Sequence, residues 1–379
     1  MKTRFAILLV VVLGVVIAGL LVGRGPGREP RYQGRRLSYW FKEYYRYGVI
    51  PDPSRRDDEA RGREAVKAIR AIGTNAVPFL VADYFSTNQD SFLKTNLLPV
   101  LGKLGFPPLI TSDQIRYAAS EAIFEIKPPA SVLLPHLIPA LRSNDPANRS
   151  KAIFLLGGVG EGAEATVPHL IAGLRSTNFW EQFDAVFVAR RLGLPVKAVV
   201  PELIELLQKR EQQYMPSRVN LQRQVEFALG SFGTNAASAI PVLLDMLKQQ
   251  DDGSWRCWGA AIALTNVGCE KRVLVAELVK KMDAAADDAS RFRVTTLLLS
   301  VDSTNAMALA VLMEYAKPDS KWRENAILEL GKLGSAARPA LPLIREAATN
   351  GSNILIRQKA QKALENIEAA STNQDSRPQ

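Results

Sequence analysis

Two histidines at matching positions are the residues whose type and spacing come nearest to a metal or pH-sensing site. His136 and His169 are 33 residues apart, and each stands in the sequence Pro-His-Leu-Ile. Imidazole binds zinc and titrates near neutral pH, so a ladder of histidines could serve either chemistry. Equivalent positions on stacked helices lie about 10 Å apart, too far for two imidazoles to share a metal unless both bend inward. We therefore favour a partly exposed polar column.

The other reactive side chains also fit structural roles. Cys257 and Cys269 are twelve residues apart, which matches no metal motif, and two thiols make no disulfide framework. They could pair if the body is exported. Trp255, Arg256 and Trp258 resemble a base-stacking cluster, but a spacing of three puts both indoles on one helix face, where packing is the commoner role. No phosphate loop, His-Glu-x-x-His helix or nucleophile elbow is present. We predict no catalytic, cofactor-binding or metal-binding residue.

The elements that carry these residues repeat about every 33 residues. Ten residues after each predicted turn stands an aliphatic residue, and eight after it stands Pro or Ala. The turn column is Lys127, Gly160, Gly193, Gly233, Gly268, Asp302 and Gly334. The aliphatic column is Leu137, Leu170, Leu203, Leu243, Leu278, Leu312 and Ile344. A period of this length predicts an all-α solenoid of antiparallel helix pairs, in which stacking buries the apolar stripes.

The charge of the chain argues against nucleic acid as a partner. The formal net charge is +10, but residues 1–63 hold 13 Lys and Arg against 6 Asp and Glu, which leaves only +3 for the remaining 316 residues. A body so close to neutral lacks the positive field that phosphate binding requires. We therefore expect nucleic acid to be an unlikely partner.

The N-terminus contains an apolar run that predicts membrane targeting. Residues 5–22 are 18 apolar or glycine residues, preceded by Lys2 and Arg4. At about 1.5 Å per residue, this run nearly crosses a bilayer core of about 30 Å. We favour an uncleaved single-pass anchor, although a cleaved signal sequence remains open. Basic residues on both sides make the orientation ambiguous, and we expect the body outside the cytoplasm, in a bacterial envelope.

Composition divides the chain into five predicted segments. They are an anchor or signal sequence at 1–23, a flexible basic linker at 24–37, an aromatic-rich cap at 38–60, the repeat solenoid at 61–368 and a disordered tail at 369–379. The cap segment has six aromatic residues between 39 and 47. It could instead lie at a membrane interface, but an open solenoid end must be covered, so we favour the cap.

Two repeats carry a family resemblance. The sequences LLGGVG at 155–160 and AILELGKLG at 326–334 are each followed by Ala-rich turns and a Pro-x-Leu helix start. These units resemble short bacterial HEAT repeats, over about residues 60–368. The resemblance implies a superhelix whose concave face is an extended binding surface, and it makes a scaffold the default function.

Some HEAT-like proteins are enzymes, and the resemblance allows these to be checked. A di-iron hydroxylase of this type needs His-Glu dipeptides, whereas both histidines here are followed by Leu. A lyase-like or chromophore-binding protein needs a deep apolar pocket with convergent polar groups, and this alternative stays open.

Our leading hypothesis is a non-enzymatic, membrane-tethered scaffold that binds a protein partner through its concave face. The second helix of each repeat would line that face, and its mixed charges suit a protein better than a polyanion. The candidate contact residues are His136, Arg142, His169, Arg175, Glu202, Glu205, Asp245, Lys248, Glu277 and Lys281.

Overall fold

A computed structural model describes residues 29–49, 56–86, 110–193, 196–209, 221–249 and 255–375. The predicted membrane segment at 5–22 lies outside these residues, as does the first part of the predicted linker. The chain divides into two compact units, Met1–His136 and Leu137–Gln379.

The described residues of the first unit form helices and one small hairpin. Its strands are β1 (Arg31–Tyr32) and β2 (Arg35–Arg36), which pair antiparallel. Its helices are α1 (Leu37–Glu43), α2 (Arg56–Ile72), α3 (Val77–Phe85), α4 (Ser112–Ile126) and the start of α5 (Ala130–Leu141). A π-helical turn at Tyr44–Val49 follows α1, and a 3-10 turn at Gly73–Ala76 joins α2 to α3. The π-helical turn packs on α2 and α4.

The predicted flexible linker at 24–37 differs in part from the structure. Its last residues form the β1–β2 hairpin and the start of α1, whereas the other described elements are helices, in agreement with the predicted all-α class. The hairpin forms because Gln33 and Gly34 both take positive φ angles, 48° and 75°, the conformation that a tight two-residue turn requires. Leu37, the last residue assigned to the linker, is buried.

The aromatic segment divides between the interior and the surface. Trp40, Phe41, Tyr44 and Tyr45 are buried in the first unit, whereas Tyr39 stays 39% exposed. Helix α1 packs on α2, so these rings fill the space beside the α2 stripe. Most of the aromatic surface of this segment is therefore used inside the protein.

Within the described residues, one stretch is long and apolar enough to cross a membrane. It is Glu59–Phe85, 27 residues, of which the most apolar window is 44% buried. This stretch combines α2, the 3-10 turn and α3, and Gly73 interrupts it with a φ of 58°. Ile69, Ile72 and Leu80 along it are buried. Length and composition alone are thus weak grounds for a span at this place.

The second unit is a stack of helix pairs. The first helices are α6 (Pro146–Leu156), α8 (Phe179–Leu192), α10 (Leu221–Ser231), α12 (Trp255–Asn266), α14 (Asp288–Val301), α16 (Arg323–Lys332) and α18 (Ile354–Asp375). The second helices are α7 (Val167–Leu174), α9 (Val196–Gln208), α11 (Ile240–Gln249), α13 (Lys271–Asp283), α15 (Ala306–Tyr315) and α17 (Leu341–Asn350). Successive first helices pack together from α6 to α14, and α16 packs on α18. Successive second helices pack from α7 to α13.

The predicted aliphatic column lies in the core of this stack. All seven members, from Leu137 to Ile344, have no exposed surface. Burial of each large aliphatic side chain stabilises the fold by about 1.5–3 kcal/mol. Neither helix of a pair could hide this stripe alone, so the stacking that the period predicts follows from the burial.

The predicted turn column is correct at five of its seven positions. A left-handed residue stands at Lys127, Gly193, Gly233, Gly268 and Gly334. In the repeat after α6 the left-handed residue is Gly162, two positions beyond the predicted Gly160. Asp302 has a φ of −138° and is an ordinary extended residue. In these two repeats the loop length differs, so the position of the turn shifts.

Side-chain caps begin many of the helices, which explains where they start. Asp145 accepts a hydrogen bond from the amide of Ala147, and Asn178 accepts from the amides of Trp180 and Glu181. Such caps satisfy amides that the first helical turn leaves unpaired. At the other end of the chain, α18 continues to Asp375. The predicted tail at 369–379 is therefore helical over its first seven residues.

Candidate functional site

The predicted contact residues lie on the second helices or directly after them. We call the exposed side chains of α7, α9, α11 and α13, together with Arg142, the second-helix face. Each of these helices turns its leucine of the aliphatic column inward, so residues two or five positions away point outward. Arg175, Glu205, Asp245 and Lys248 are exposed on this face. His136 belongs to the first unit, where it is exposed on α5.

Two of the candidate residues bind each other. Arg175, directly after α7, forms a bidentate ion pair with Glu202 on α9, with Nε–Oε2 2.8 Å and Nη2–Oε1 2.6 Å. The Arg175 side chain is 63% exposed, whereas that of Glu202 is 11% exposed. Hydrogen bonding to Glu202 raises the pKa of the Arg175 guanidinium. Glu202 therefore joins successive repeats, and Arg175 keeps much of its surface free for contact.

His169 and Arg142 hold the same positions one repeat earlier. Burial lowers the pKa of His169, and the positive charge of Arg142 lowers it further. Both effects favour the neutral imidazole, because each makes a second positive charge at this place costly. The Arg175–Glu202 ion pair thus has no counterpart one repeat earlier, where the equivalent residues are an arginine and a neutral histidine.

The remaining candidates make mostly local contacts. Glu205 pairs with Lys209 at 2.7 Å, and Glu277 pairs with Lys280 at 3.0 Å, both along their own helices. The Glu205–Lys209 hydrogen bond lowers the pKa of the Glu205 carboxyl. Between helices, Nζ of Lys281 donates to the carbonyl oxygen of Lys248 at 3.4 Å.

The structure also reveals an aromatic surface that we did not identify from the sequence. Trp180 is 45% exposed on α8, and Phe183 and Phe187 are half-buried along the same helix. Phe154 of α6 stacks on Phe187, with ring centroids 5.5 Å apart. The guanidinium of Arg190 lies 6.0 Å from the Phe187 ring. We call these five residues the aromatic band.

A signal for the aromatic band was present in the sequence. Residues 180, 183 and 187 are spaced three and four apart, which places them on one helix face. Ala185, Val186 and Ala189 on α8 are fully or almost fully buried and form a second apolar stripe. Two apolar stripes on one helix exceed what one core can bury, so one of them must reach the surface.

Buried polar groups join the helices beneath the aromatic band. Arg149 of α6 binds Glu181 of α8 through two hydrogen bonds of 3.1 and 2.7 Å, and Glu181 is 4% exposed. The Ser150 hydroxyl donates to the Asp184 carboxylate. Burial raises the pKa of Asp184 to about 6, although the hydrogen bond from Ser150 opposes this rise. A single neutral hydrogen bond does not replace the water that burial removes.

A partly open groove of about 400 Å³ lies in the first unit. Its lining is mainly basic and small residues, namely Tyr47, Gly48, Glu59, Gly62, Arg63, Val66, Lys67 and Arg70. Glu59 is paired with Arg63 at 2.5 Å, and Arg70 with Glu125 of α4. The one carboxylate of this lining is thus neutralised by a lining arginine, an arrangement without a free acid–base pair.

No cluster of side chains that could hold a metal ion is present in the part of the chain that the structure describes. No group of three or more His, Cys, Asp or Glu side chains converges there. Cys269 is half-buried, and burial together with Glu270 raises the pKa of its thiol. Trp258 is half-buried on α12. The side chains of Trp255, Arg256 and Cys257 lie outside the described residues.

Comparisons with known proteins give likenesses in structure alone. No family model matches the chain, and no curated protein does. A crystal structure of an engineered protein is 20% identical, covers 62% of this chain and 96% of its own, and has a TM-score of 0.29. The crystal structure of Kap121p is 13% identical and covers 89% of this chain, with a TM-score of 0.32. This chain spans about half the length of Kap121p, 49% of it.

Both TM-scores are low, so the fold assignment depends on the helices themselves. The stacked helix pairs of the second unit and their buried aliphatic column agree with a HEAT-like repeat fold. The described residues accordingly have a helical-repeat architecture.

Proposed function

We propose that this protein is a non-enzymatic, membrane-tethered scaffold that binds a protein partner through its second-helix face. The observation that carries the proposal is the face itself. Four successive second helices bury two leucines each, and charged side chains are exposed on α9, α11 and α13 and directly after α7. The buried leucines hold the backbone of this surface in place, whereas its exposed side chains can change conformation. This combination suits recognition of an extended partner.

The mixture of charges favours a protein over a polyanion. Arg175 and Lys248 alternate along the face with Glu205 and Asp245. A nucleic acid requires one continuous basic stripe, whereas a protein surface offers both signs in complementary positions. Local pairs such as Glu205–Lys209 hold these charges in place before a partner arrives.

The tether is supported by the sequence of the N-terminus. The apolar run at 5–22 has the length of a single span, and basic residues flank it. We propose an uncleaved anchor with the body outside the cytoplasm. Treatment of sealed cells with protease tests this orientation, because an outside body is digested before lysis and an inside body only after it.

Affinity capture of the full chain from its native envelope tests partner binding. We expect a specific protein to be retained by the wild type and lost with Glu205→Lys, Asp245→Lys and Lys248→Glu combined. A charge-reversal control is Glu314→Lys with Lys317→Glu, which exchanges the charges of an exposed pair at the end of α15. A second control is Trp180→Ala with Phe187→Ala in the aromatic band.

The outcomes separate the two surfaces. Loss of the partner with the aromatic-band variant alone would assign binding to the first helices and overturn our choice of face. Capture of no protein, together with a small molecule released reproducibly from the purified chain, would favour the lyase-like or chromophore-binding alternative.

A further inference from the structure

The β1–β2 hairpin presents an arginine cluster at the surface. Arg31 lies directly opposite Arg36 in the antiparallel register, and Tyr32 lies opposite Arg35. All three arginines are exposed. Directly opposed residues of a hairpin have Cβ atoms about 4.5–5.5 Å apart, and like charges at this distance destabilise the pairing. The hairpin therefore holds two positive charges closer together than they would lie without a fold.

No described carboxylate forms an ion pair with this cluster, and the two beside the hairpin, Glu29 and Glu64, accept from the Ser38 amide and the Gln33 side chain. Neither Arg31 nor Arg36 forms an ion pair with a described carboxylate, and Arg35 donates instead to the Tyr39 hydroxyl. The Arg35 guanidinium also lies 4.4 Å from the centre of the Tyr39 ring. The natural counter-charge for this surface is thus a ligand that brings an anion.

The cluster has a fixed position because the hairpin is fastened to the first unit. The Trp40 indole donates to the carbonyl oxygen of Tyr32 at 3.0 Å, and the amide of Leu37 donates to the carbonyl oxygen of Pro30 at 2.9 Å. Trp40 and Leu37 are buried. Tyr32 meets Trp40 edge to face, at 5.7 Å between centroids. These contacts make the hairpin a part of the folded unit.

The place of the hairpin in the chain indicates which anion it meets. Only six residues, 23–28, separate the apolar run at 5–22 from Glu29. A chain spans at most about 3.6 Å per residue, so Arg31, two residues further on, lies within roughly 30 Å of the end of a membrane anchor. Arginine and tyrosine are also the side chains that suit the headgroup region of a bilayer.

We propose that Arg31, Arg35, Arg36 and Tyr39 form a docking surface for anionic phospholipid headgroups, which fixes the first unit against the membrane. This inference rests on the tether of the proposed function. The buried rings of α1 hold the surface in shape, and the exposed tyrosine and arginines meet the lipid. Each basic residue near an anionic surface contributes about fivefold to binding.

The test uses the full chain bound to vesicles of neutral phosphatidylcholine, or of phosphatidylcholine with phosphatidylglycerol. Flotation of the vesicles measures the tether. A fluorophore on Gln33→Cys, with Cys257 and Cys269 changed to Ser, measures docking through quenching by a headgroup-labelled lipid. The docking variant is Arg31→Gln with Arg36→Gln, and the matched control is Arg272→Gln with Lys317→Gln, which removes the same charge from the second unit.

We expect flotation with both lipids, and quenching at least threefold stronger with phosphatidylglycerol. The docking variant and 1 M salt should both abolish this difference, whereas the control variant should keep it. Flotation with equal quenching in both lipids would overturn the docking surface and leave the tether intact. Flotation with phosphatidylglycerol alone, lost in the docking variant, would support the surface and overturn the tether. No flotation with either lipid would overturn both.

Discussion

The carboxylate of Glu226 packs directly against the α-carbon of Gly259. Glu226 on α10 is 1% exposed, and Gln222 of the same helix donates a hydrogen bond to it at 3.1 Å. A Cβ at position 259 on α12 would overlap the Oε2 atom of Glu226. A glycine is therefore what lets a buried acid fit between two first helices.

We predict that Gly259→Ala lowers the free energy of unfolding by about 1–3 kcal/mol, because the carboxylate must move within a packed interface. Urea unfolding followed by circular dichroism measures this change. In a Glu226→Ala background the same substitution should cost much less, since the space is already vacant. Equal costs in both backgrounds would show that the contact is not the cause.

We predict that Asp184→Asn stabilises the protein at neutral pH. Burial raises the folded-state pKa of this carboxyl to about 6, above its ordinary 3.8. The ionised form is thus disfavoured in the fold, and stability is lost as the pH rises from about 4 through 6. The full loss is up to about 3 kcal/mol. Unfolding free energies of wild type and Asp184→Asn should therefore diverge between pH 4 and 7.

Ser150→Ala is the companion variant for Asp184. It removes the hydrogen bond that favours the carboxylate. The pKa of Asp184 should then rise further, and the divergence from Asp184→Asn should extend to higher pH. An unchanged pH profile in Ser150→Ala would contradict the role of this hydrogen bond.

We predict that Glu346→Gln is far more damaging than Glu368→Gln. Glu346 of α17 pairs at 2.5 Å with Arg323 of α16, whose side chain is only 5% exposed. Loss of this carboxylate leaves a buried guanidinium without a counter-charge, which costs about 3 kcal/mol. The Arg345–Glu368 pair is 3.0 Å long and exposed on both sides, so its loss costs roughly 0–1 kcal/mol. Thermal unfolding of the two variants compares them directly.

We predict opposite effects for two substitutions at the left-handed turns. Lys127 has a φ of 49°, where a side chain costs about 1 kcal/mol, so Lys127→Gly should stabilise by about that amount. Gly193 has a φ of 56°, and nothing lies within 4 Å of an added Cβ. Gly193→Ala should therefore destabilise by about 1 kcal/mol through backbone strain alone. Chemical denaturation of both variants tests the pair, and shifts of the same sign would contradict it.

The aliphatic column could be predicted from the sequence because burial of one helix face imposes a period on the chain. Leu203 and Leu243 are 40 residues apart, yet both are buried. Turn positions were less predictable. Gly160 and Gly162 both offer a flexible backbone, and it is Gly162 that takes the left-handed conformation.

Contacts between repeats could not be predicted from spacing. Arg175 and Glu202 were both identified as surface residues, but their mutual ion pair depends on how α7 and α9 stack. The aromatic band was missed for a related reason. Residue type predicts that Trp180 is buried, whereas the competing stripe of Ala185 and Ala189 takes the interior of α8.

The row of first helices in the second unit has a mechanical consequence. Successive first helices cover one another from α6 to α14, and α18 covers α16 and α17. Heat or tension that detaches α18 would expose α16 and α17 to solvent and leave the packing between the first helices from α6 to α14 intact. Unfolding would then begin at α18 and proceed one helix pair at a time, and a ligand that contacts several pairs would oppose it.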